Sequence, residues 1–280
     1  MSIRQVIGFI RLSRPQNDAI AALSVLVGAW VSAPIESWWK VLWACISAFL
    51  ISAGGNSIND VFDVEIDRIN KPYRPLAREE ISVKSAVWFS VILFSLGVAL
   101  SLWIELANIL LAVAVVTVLM IYSAALKKKL VWGNLAVALL SASAFVYGGL
   151  IGRDFVICLI PAGFAFLFHL GREVLKDIED MKGDSSRGAS TLPIRAGVAG
   201  SLAFSSLVFA LLIALSGLPY TLRLFSLTYL LIVVPGVDLV LVYVIWSMWR
   251  DSSPSNLHRL SNLLKADMLL GLAAIYLGRF

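Results

Sequence analysis

The stretch from Asn56 to Pro75, NSINDVFDVEIDRINKPYRP, follows a long apolar run and carries four carboxylates, Asp60, Asp63, Glu65 and Asp67. Asp60, Asp63 and Asp67 are spaced i, i+3, i+7, which on a helix confines them to an arc of about 60°. Asn56 shares that face one turn earlier, Asn59 borders it, and Glu65 points elsewhere, toward solvent. The same spacing returns in REVLKDIEDMKGDSSRGAS as Asp177, Asp180 and Asp184, with His169 and Glu173 extending that face upstream. Three like charges on one face repel, and a carboxylate near hydrocarbon is costly, so something positive belongs between them. Oxygen ligands without Cys or His at metal spacing suit a hard cation, and Mg²⁺ is typically held by one or two carboxylates plus waters and substrate phosphates. Such an ion would bridge the carboxylates to a diphosphate and neutralise charge on a departing phosphate oxygen. Two faces with one spacing suggest two halves of one site. The plainer alternative is that these are solvated charges where helices leave a bilayer.

Basic residues are placed to meet a diphosphate. Arg68, Lys71 and Arg74 follow the first motif, Lys127 and Lys128 lie in YSAALKKKL, and Arg172 and Lys176 are interleaved with the second motif. Lys129, in the same run, reads first as a topology signal. No Walker-type glycine loop is present, so nucleotide phosphate is not the expected ligand, and no nucleic-acid partner is expected.

The elements that position these residues are membrane spans. The chain has 280 residues, 59% hydrophobic and 15% charged, with a mean hydropathy of +0.86. It contains several apolar stretches long enough to cross a hydrocarbon layer of about 30 Å. An integral, multi-pass membrane protein is predicted, with nine spans centred near residues 25, 48, 93, 114, 140, 164, 207, 235 and 271. No cleavage-site pattern follows a short apolar segment near Met1, so the first hydrophobic segment is expected to be retained. With the N-terminus and every even-numbered loop in the cytoplasm, that side collects 19 of the 23 Lys and Arg residues, as the positive-inside rule demands. Cys45 and Cys158 lie in apolar runs and read as core packing. With no separable soluble domain or linker, residues 1–280 read as one all-α bundle with both acidic motifs at cytoplasmic helix ends.

At the level of motifs, the chain resembles the UbiA superfamily of intramembrane prenyltransferases. The resemblance rests on NDVFDVEID at 59–67 followed by RINKPYRPL, on KDIEDMKGD at 176–184, on YSAALKK at 122–128 and on RPQN at 14–17. Nine spans is also the family's count, and essentially the whole chain is covered. One departure is Arg78-Glu79, where relatives often carry Ser-Gly. The resemblance implies helices around a central cavity open to lipid, and Mg²⁺-dependent transfer of a polyprenyl chain from its diphosphate to an acceptor. Carried over residue by residue, Asp60, Asp63 and Asp67, aided by Asn56 or Asn59, would hold one Mg²⁺, and Asp177, Asp180 and Asp184 a second. Arg68, Lys71, Lys127, Lys128 and Lys176 would grip diphosphate oxygens.

The wording of both motifs is most similar to archaeal members that add a second geranylgeranyl chain to geranylgeranylglyceryl phosphate in ether-lipid synthesis. Arg14, Asn17, Arg74 and Arg172 would then meet the acceptor. An aromatic acceptor, of the hydroxybenzoate, quinone or chlorophyll type, is the competing expectation. A transporter is a third, because Asp238 beside Pro235-Gly236 is a charge within a span. Transporters, however, place their sites at midplane, whereas both acidic motifs lie at helix ends.

Overall fold

The computed structural model describes residues 3–185 and 188–279, and the side chains of Asn70, Lys128 and Lys182 lie outside the description. Among the described residues, seven helical segments are long and apolar enough to cross a membrane: Trp38–Ile69, Val83–Ser101, Leu106–Ala124, Phe155–Glu179, Leu192–Thr221, Leu227–Arg250 and Pro254–Gly278. The other two expected spans are helices of lesser reach. Pro15–Val31 has 17 residues, at the short end of the range for a spanning helix. Trp132–Gly149 includes Asn134, Ser141, Ser143 and Tyr147 within its 18 residues, which lowers its hydropathy.

The chain packs as two compact units, Met1–Lys127 with Val146–Phe155, and Lys128–Phe145 with Val156–Phe280. The first unit begins with α1 (Ile3–Ser13) and α2 (Pro15–Val31) and is built around α3 (Trp38–Asn70). It continues through α4 (Val83–Ser101) and α5 (Leu106–Ala124) and takes in the end of α6 (Trp132–Gly149). At 33 residues α3 is about 50 Å long at 1.5 Å per residue, well beyond a hydrocarbon layer of about 30 Å. Asp60 lies some 33 Å along the axis from Trp38, so a helix entering the membrane at Trp38 delivers the acidic face to the far edge of the bilayer. The near edge is marked by the outward-facing Trp38, Trp39 and Trp103 and by an ion pair between Lys40 and Glu105 (2.8 Å).

Just before the acidic stretch, α3 is thinned by glycine. A Cβ on Gly54 would lie 2.8 Å from the Phe94 ring of α4, so the close approach of the two helices depends on its absence. Ser47 ties α3 to its neighbours, donating to the Gly97 carbonyl (2.7 Å) and sharing a hydrogen bond with the Tyr147 hydroxyl (3.0 Å).

The second unit contains most of α6, then α7 (Leu159–Glu179), α8 (Met181–Ser185), α9 (Leu192–Ser216), α10 (Leu218–Thr221), α11 (Leu227–Val233), α12 (Leu239–Arg250) and α13 (Pro254–Gly278). Two short strands, β1 (Lys129–Leu130) and β2 (Ser190–Thr191), pair in parallel. Gly197, at φ 74° and ψ 171°, kinks α9 near its start in a conformation other residues rarely adopt. Outward faces of the long helices are apolar, with Leu110, Leu207, Leu231 and Leu239 among the exposed residues. Surfaces of that kind are stable against lipid and aggregate in water.

Between α3 and α4, residues 71–82 form an irregular connection in which Glu79 adopts the left-handed conformation, φ 59°. An L side chain pays about 1–2 kcal/mol there, a cost that glycine does not meet. Glu79 is exposed and accepts an ion pair from Arg68 at 3.0 Å, an arrangement worth about 0–1 kcal/mol. Glu79→Gly is therefore expected to leave thermal stability in detergent unchanged or raised by about 1 kcal/mol. A clear fall in the unfolding midpoint would show that the Arg68 pair outweighs the backbone strain.

Candidate functional site

All three carboxylates of the first motif are buried on one face of α3: Asp60 is 2% exposed, Asp63 7% and Asp67 4%, while Glu65 faces outward. Each carboxylate meets a cation. Arg14 and Arg74 both donate to Asp60 Oδ1, the latter at 2.9 Å, and Arg74 Nη1 also reaches Asp67 Oδ2 at 2.6 Å. Lys127 Nζ pairs with Asp63 Oδ2. Burial by itself would lower the Arg74 guanidinium, but the carboxylates of Asp60, Asp67 and Asp63 hold it above its ordinary value.

The three cations come from separate places in the chain. Arg14 sits at the junction of α1 and α2 in the left-handed conformation (φ 59°, ψ 64°), directly before Pro15. A non-glycine residue held there before proline is strained, and here the strain accompanies an Arg14 side chain paired with Asp60. Arg74 comes from the connection after α3. Lys127 comes from the short 3₁₀ turn Leu126–Lys128 that follows α5. The side chain of Lys128 is outside the described residues.

Several expected ligands occupy other positions. Asn56 gives its amide hydrogens to the Ser13 carbonyl (2.9 Å) and to Asp18 Oδ1 (2.9 Å), so it belongs to a buried cluster one turn below the acidic face. Ser52 donates to the same Asp18 oxygen at 2.7 Å. Asp18 is fully buried, and its only signal in the sequence is a carboxylate directly after RPQN at the head of an apolar helix. Arg68 turns to Glu79, and Lys71 ends α3, its N–H returning to the Asp67 carbonyl at 2.8 Å. Asn17 is half-buried in the first turn of α2.

The second motif departs from a single helical face. α7 stops at Glu179, Asp180 takes φ −88° and ψ 1°, and Asp184 falls on the separate short helix α8. The i, i+3, i+7 spacing of Asp177, Asp180 and Asp184 therefore does not fan out along one continuous helix. Backbone N–H groups of Gly183 and Asp184 fold back onto the Asp180 carbonyl (3.0 and 3.1 Å), keeping the stretch compact across the break. Asp177 accepts from Asn134 Nδ2 at 2.8 Å, a partner on α6 with no motif to announce it. Glu173, 7% exposed, is the centre of charge on α7: Lys176 Nζ donates to both its oxygens (2.9 and 2.8 Å) and Arg172 to one (3.3 Å). Arg172 Nε also donates to the Ser261 carbonyl of α13 at 3.2 Å, and His258 bonds Glu179 at 2.9 Å.

Among the described residues no three His, Cys, Asp or Glu side chains are gathered closely enough to hold a metal as they stand. Around the α3 face the positive charge comes instead from Arg14, Arg74 and Lys127. The donor chemistry nonetheless fits a hard cation: the carboxylates supply oxygen only, and Asn59 Oδ1 beside them is buried without a hydrogen-bond partner among the described residues.

The sequence pattern of the UbiA prenyltransferase family matches residues 21–265. A digeranylgeranylglyceryl phosphate synthase of Methanosphaera stadtmanae is 34% identical over 270 residues, 96% of this chain and 98% of its own length. A solved structure concerned with digeranylgeranylglyceryl phosphate synthase in membranes superposes with a TM-score of 0.77 at 34% identity, over 99% of both chains. A UbiA homolog from Archaeoglobus fulgidus, bound to GPP and Mg²⁺, has the same fold at 17% identity, with a TM-score of 0.67 over 96% of this chain and 99% of its own. Sequence match, fold and the two acidic motifs agree, and the chain belongs to the UbiA prenyltransferase family.

Proposed function

We propose that this chain transfers a geranylgeranyl group from its diphosphate to the free hydroxyl of geranylgeranylglyceryl phosphate, forming the second ether of an archaeal-type lipid. The observation that carries the reading is the buried row Asp60, Asp63 and Asp67 with its three cations, in a chain alike over nearly its whole length to a digeranylgeranylglyceryl phosphate synthase. The chain acts as one prenyltransferase domain of nine spans with its N-terminus in the cytoplasm, a reading supported by the distribution of Lys and Arg.

In the reaction, the allylic carbon–oxygen bond of the donor breaks and the diphosphate departs with the electron pair. The acceptor hydroxyl oxygen bonds to the allylic carbon, and its proton leaves with the diphosphate. Asp60, Asp63 and Asp67 with Asn59 would hold one Mg²⁺, and Asp177, Asp180 and Asp184 a second. Bound Mg²⁺ supplies neutralisation of the charge that develops on the leaving oxygen. Arg14, Arg74 and Lys127 keep the carboxylate row neutral before substrate arrives and then turn part of their hydrogen bonding to phosphate oxygens. In the first unit Lys127 would contact the diphosphate and Arg14 the acceptor phosphate; in the second, Lys176 and Arg172 are the candidate phosphate donors. The apolar helix faces hold the prenyl tail and keep water from the cation-like carbon.

The direct test is purified protein with Mg²⁺ and geranylgeranyl diphosphate, offered either geranylgeranylglyceryl phosphate or hydroxybenzoate, with products read by mass. The doubly prenylated glycerol phosphate is expected, and EDTA should abolish it; product from hydroxybenzoate alone would move the assignment to an aromatic acceptor. Asp63→Asn and Asp180→Asn should each lower kcat by about 100-fold or more while the proteins still fold. Near-normal turnover in both would remove the carboxylates from the chemistry.

Arg74→Ala leaves Asp60 and Asp67 buried with less counter-charge, and breaking such a pair costs about 3 kcal/mol. Its thermal midpoint should fall clearly, and Mg²⁺ should restore part of the loss, because a bound ion neutralises the same carboxylates. A fall that Mg²⁺ leaves untouched would count against metal binding on this face of α3.

A further inference from the structure

The span Leu227–Arg250 is interrupted by one π-helical turn, Val234–Asp238, which contains Pro235. Proline has no N–H to give, so a carbonyl one turn earlier loses its helical partner, and π turns inside α-helices gather at functional sites. Asp238 closes the turn. At 1.5 Å per residue it stands about 16 Å from the nearer end of its span, and Asp267 stands about 16 Å from the nearer end of Pro254–Gly278, so both are at mid-span.

Both carboxyl groups are buried, Asp238 at 7% and Asp267 at 2% exposed. Asp238 Oδ2 accepts from Ser216 Oγ at 2.9 Å, but Asp238 Oδ1 and both oxygens of Asp267 have no hydrogen-bond partner among the described residues. The π turn and α13 are packed on each other here. A Cβ on Gly271 would lie 3.9 Å from Val237, the residue before Asp238, and one on Gly236 would lie 3.6 Å from Leu270. Tyr229 closes the surroundings by donating to the Ser216 carbonyl at 2.8 Å rather than to either carboxylate.

Unpartnered carboxyl oxygens in the middle of a span mark ion or proton paths, and broken helices at midplane coordinate ions in other membrane proteins. We propose that Asp238 and Asp267, with Ser216 Oγ, form a midplane binding site for one hard cation. The ligands are oxygen only, which selects Na⁺, Mg²⁺ or Ca²⁺ over softer metals, and two carboxylates match the charge of a divalent ion. Ca²⁺, which accepts irregular oxygen shells, is the probe of choice.

The test uses full-length protein in detergent, stripped with EDTA, in which Asp63→Asn and Asp180→Asn have disabled the acidic motifs, so that their ions cannot produce the signal. Thermal unfolding is followed against Ca²⁺, Mg²⁺ and Na⁺ at mildly acidic and mildly alkaline pH, and Ca²⁺ binding is measured by calorimetry. The midpoint is expected to rise by about 5 °C at about a hundredfold excess of cation over Kd, with one ion bound. Adding Asp267→Asn, or separately Asp238→Asn, should abolish both the rise and the binding. No bound ion in the parent protein would overturn the proposal, and that measurement does not depend on either variant folding. A midpoint that follows pH alone would overturn it in favour of a proton shared by the two carboxyl groups, and an unchanged cation response in both variants would place the ion elsewhere.

Discussion

Three carboxylates buried on one face of α3 are tolerable only because three cations reach them, and much of the first unit is organised by that requirement. Arg14 lies 46 residues from Asp60, Lys127 64 from Asp63, and Arg74 14 from Asp60 and 7 from Asp67. To deliver them, the α1–α2 junction, the connection after α3 and the turn after α5 must all close on the same stretch of helix. The strained backbone at Arg14 is consistent with that demand, since a residue there escapes the left-handed region unless its surroundings hold it. A row neutralised by side chains is also one that can be re-partnered, because the same donors suit phosphate oxygens as well as carboxylates.

Length explains where this happens. Helix α3 exceeds the thickness of a hydrocarbon layer, so its apolar first part is held among lipid and neighbouring helices while its acidic last part is carried to the membrane edge. A prenyl diphosphate has the same division, with a tail that belongs in hydrocarbon and a head that belongs in water. Below the acidic face, Asp18, Ser52 and Asn56 make a second polar layer whose hydrogen bonds fasten α2 and the end of α1 to α3.

The second unit solves a similar problem differently. Its buried counter-charge is Glu173, which holds both Arg172 and Lys176, and the helix carrying it ends at Glu179 so that Asp180 and Asp184 fall on a compact turn and a short helix. Among the described residues, Asp177 is steadied by an amide from α6. Deeper in the same unit, Asp238 Oδ1 and both oxygens of Asp267 have no hydrogen-bond partner among the described residues, which sets them apart from Glu173 and Asp177.

Membrane character, the acidic face on α3, the outward Glu65 and the family follow from the sequence by itself, because hydropathy and helical periodicity are local properties that lipid enforces along each segment. Pairing is not local. Nothing in the spacing says that Arg14 and Arg74 seek Asp60 while Arg68 turns to Glu79, that Asn56 sits with Asp18, or that Asn134 supports Asp177. Nor does the DxxDxxxD spelling reveal that α7 stops at Glu179, since a break costs little once the Asp180 carbonyl finds N–H partners in the next turn. The sequence determined which groups are available and roughly at what depth each one lies. Which charges meet was decided only by the tertiary structure, because a buried ion pair depends on two distant segments arriving at the same few ångströms.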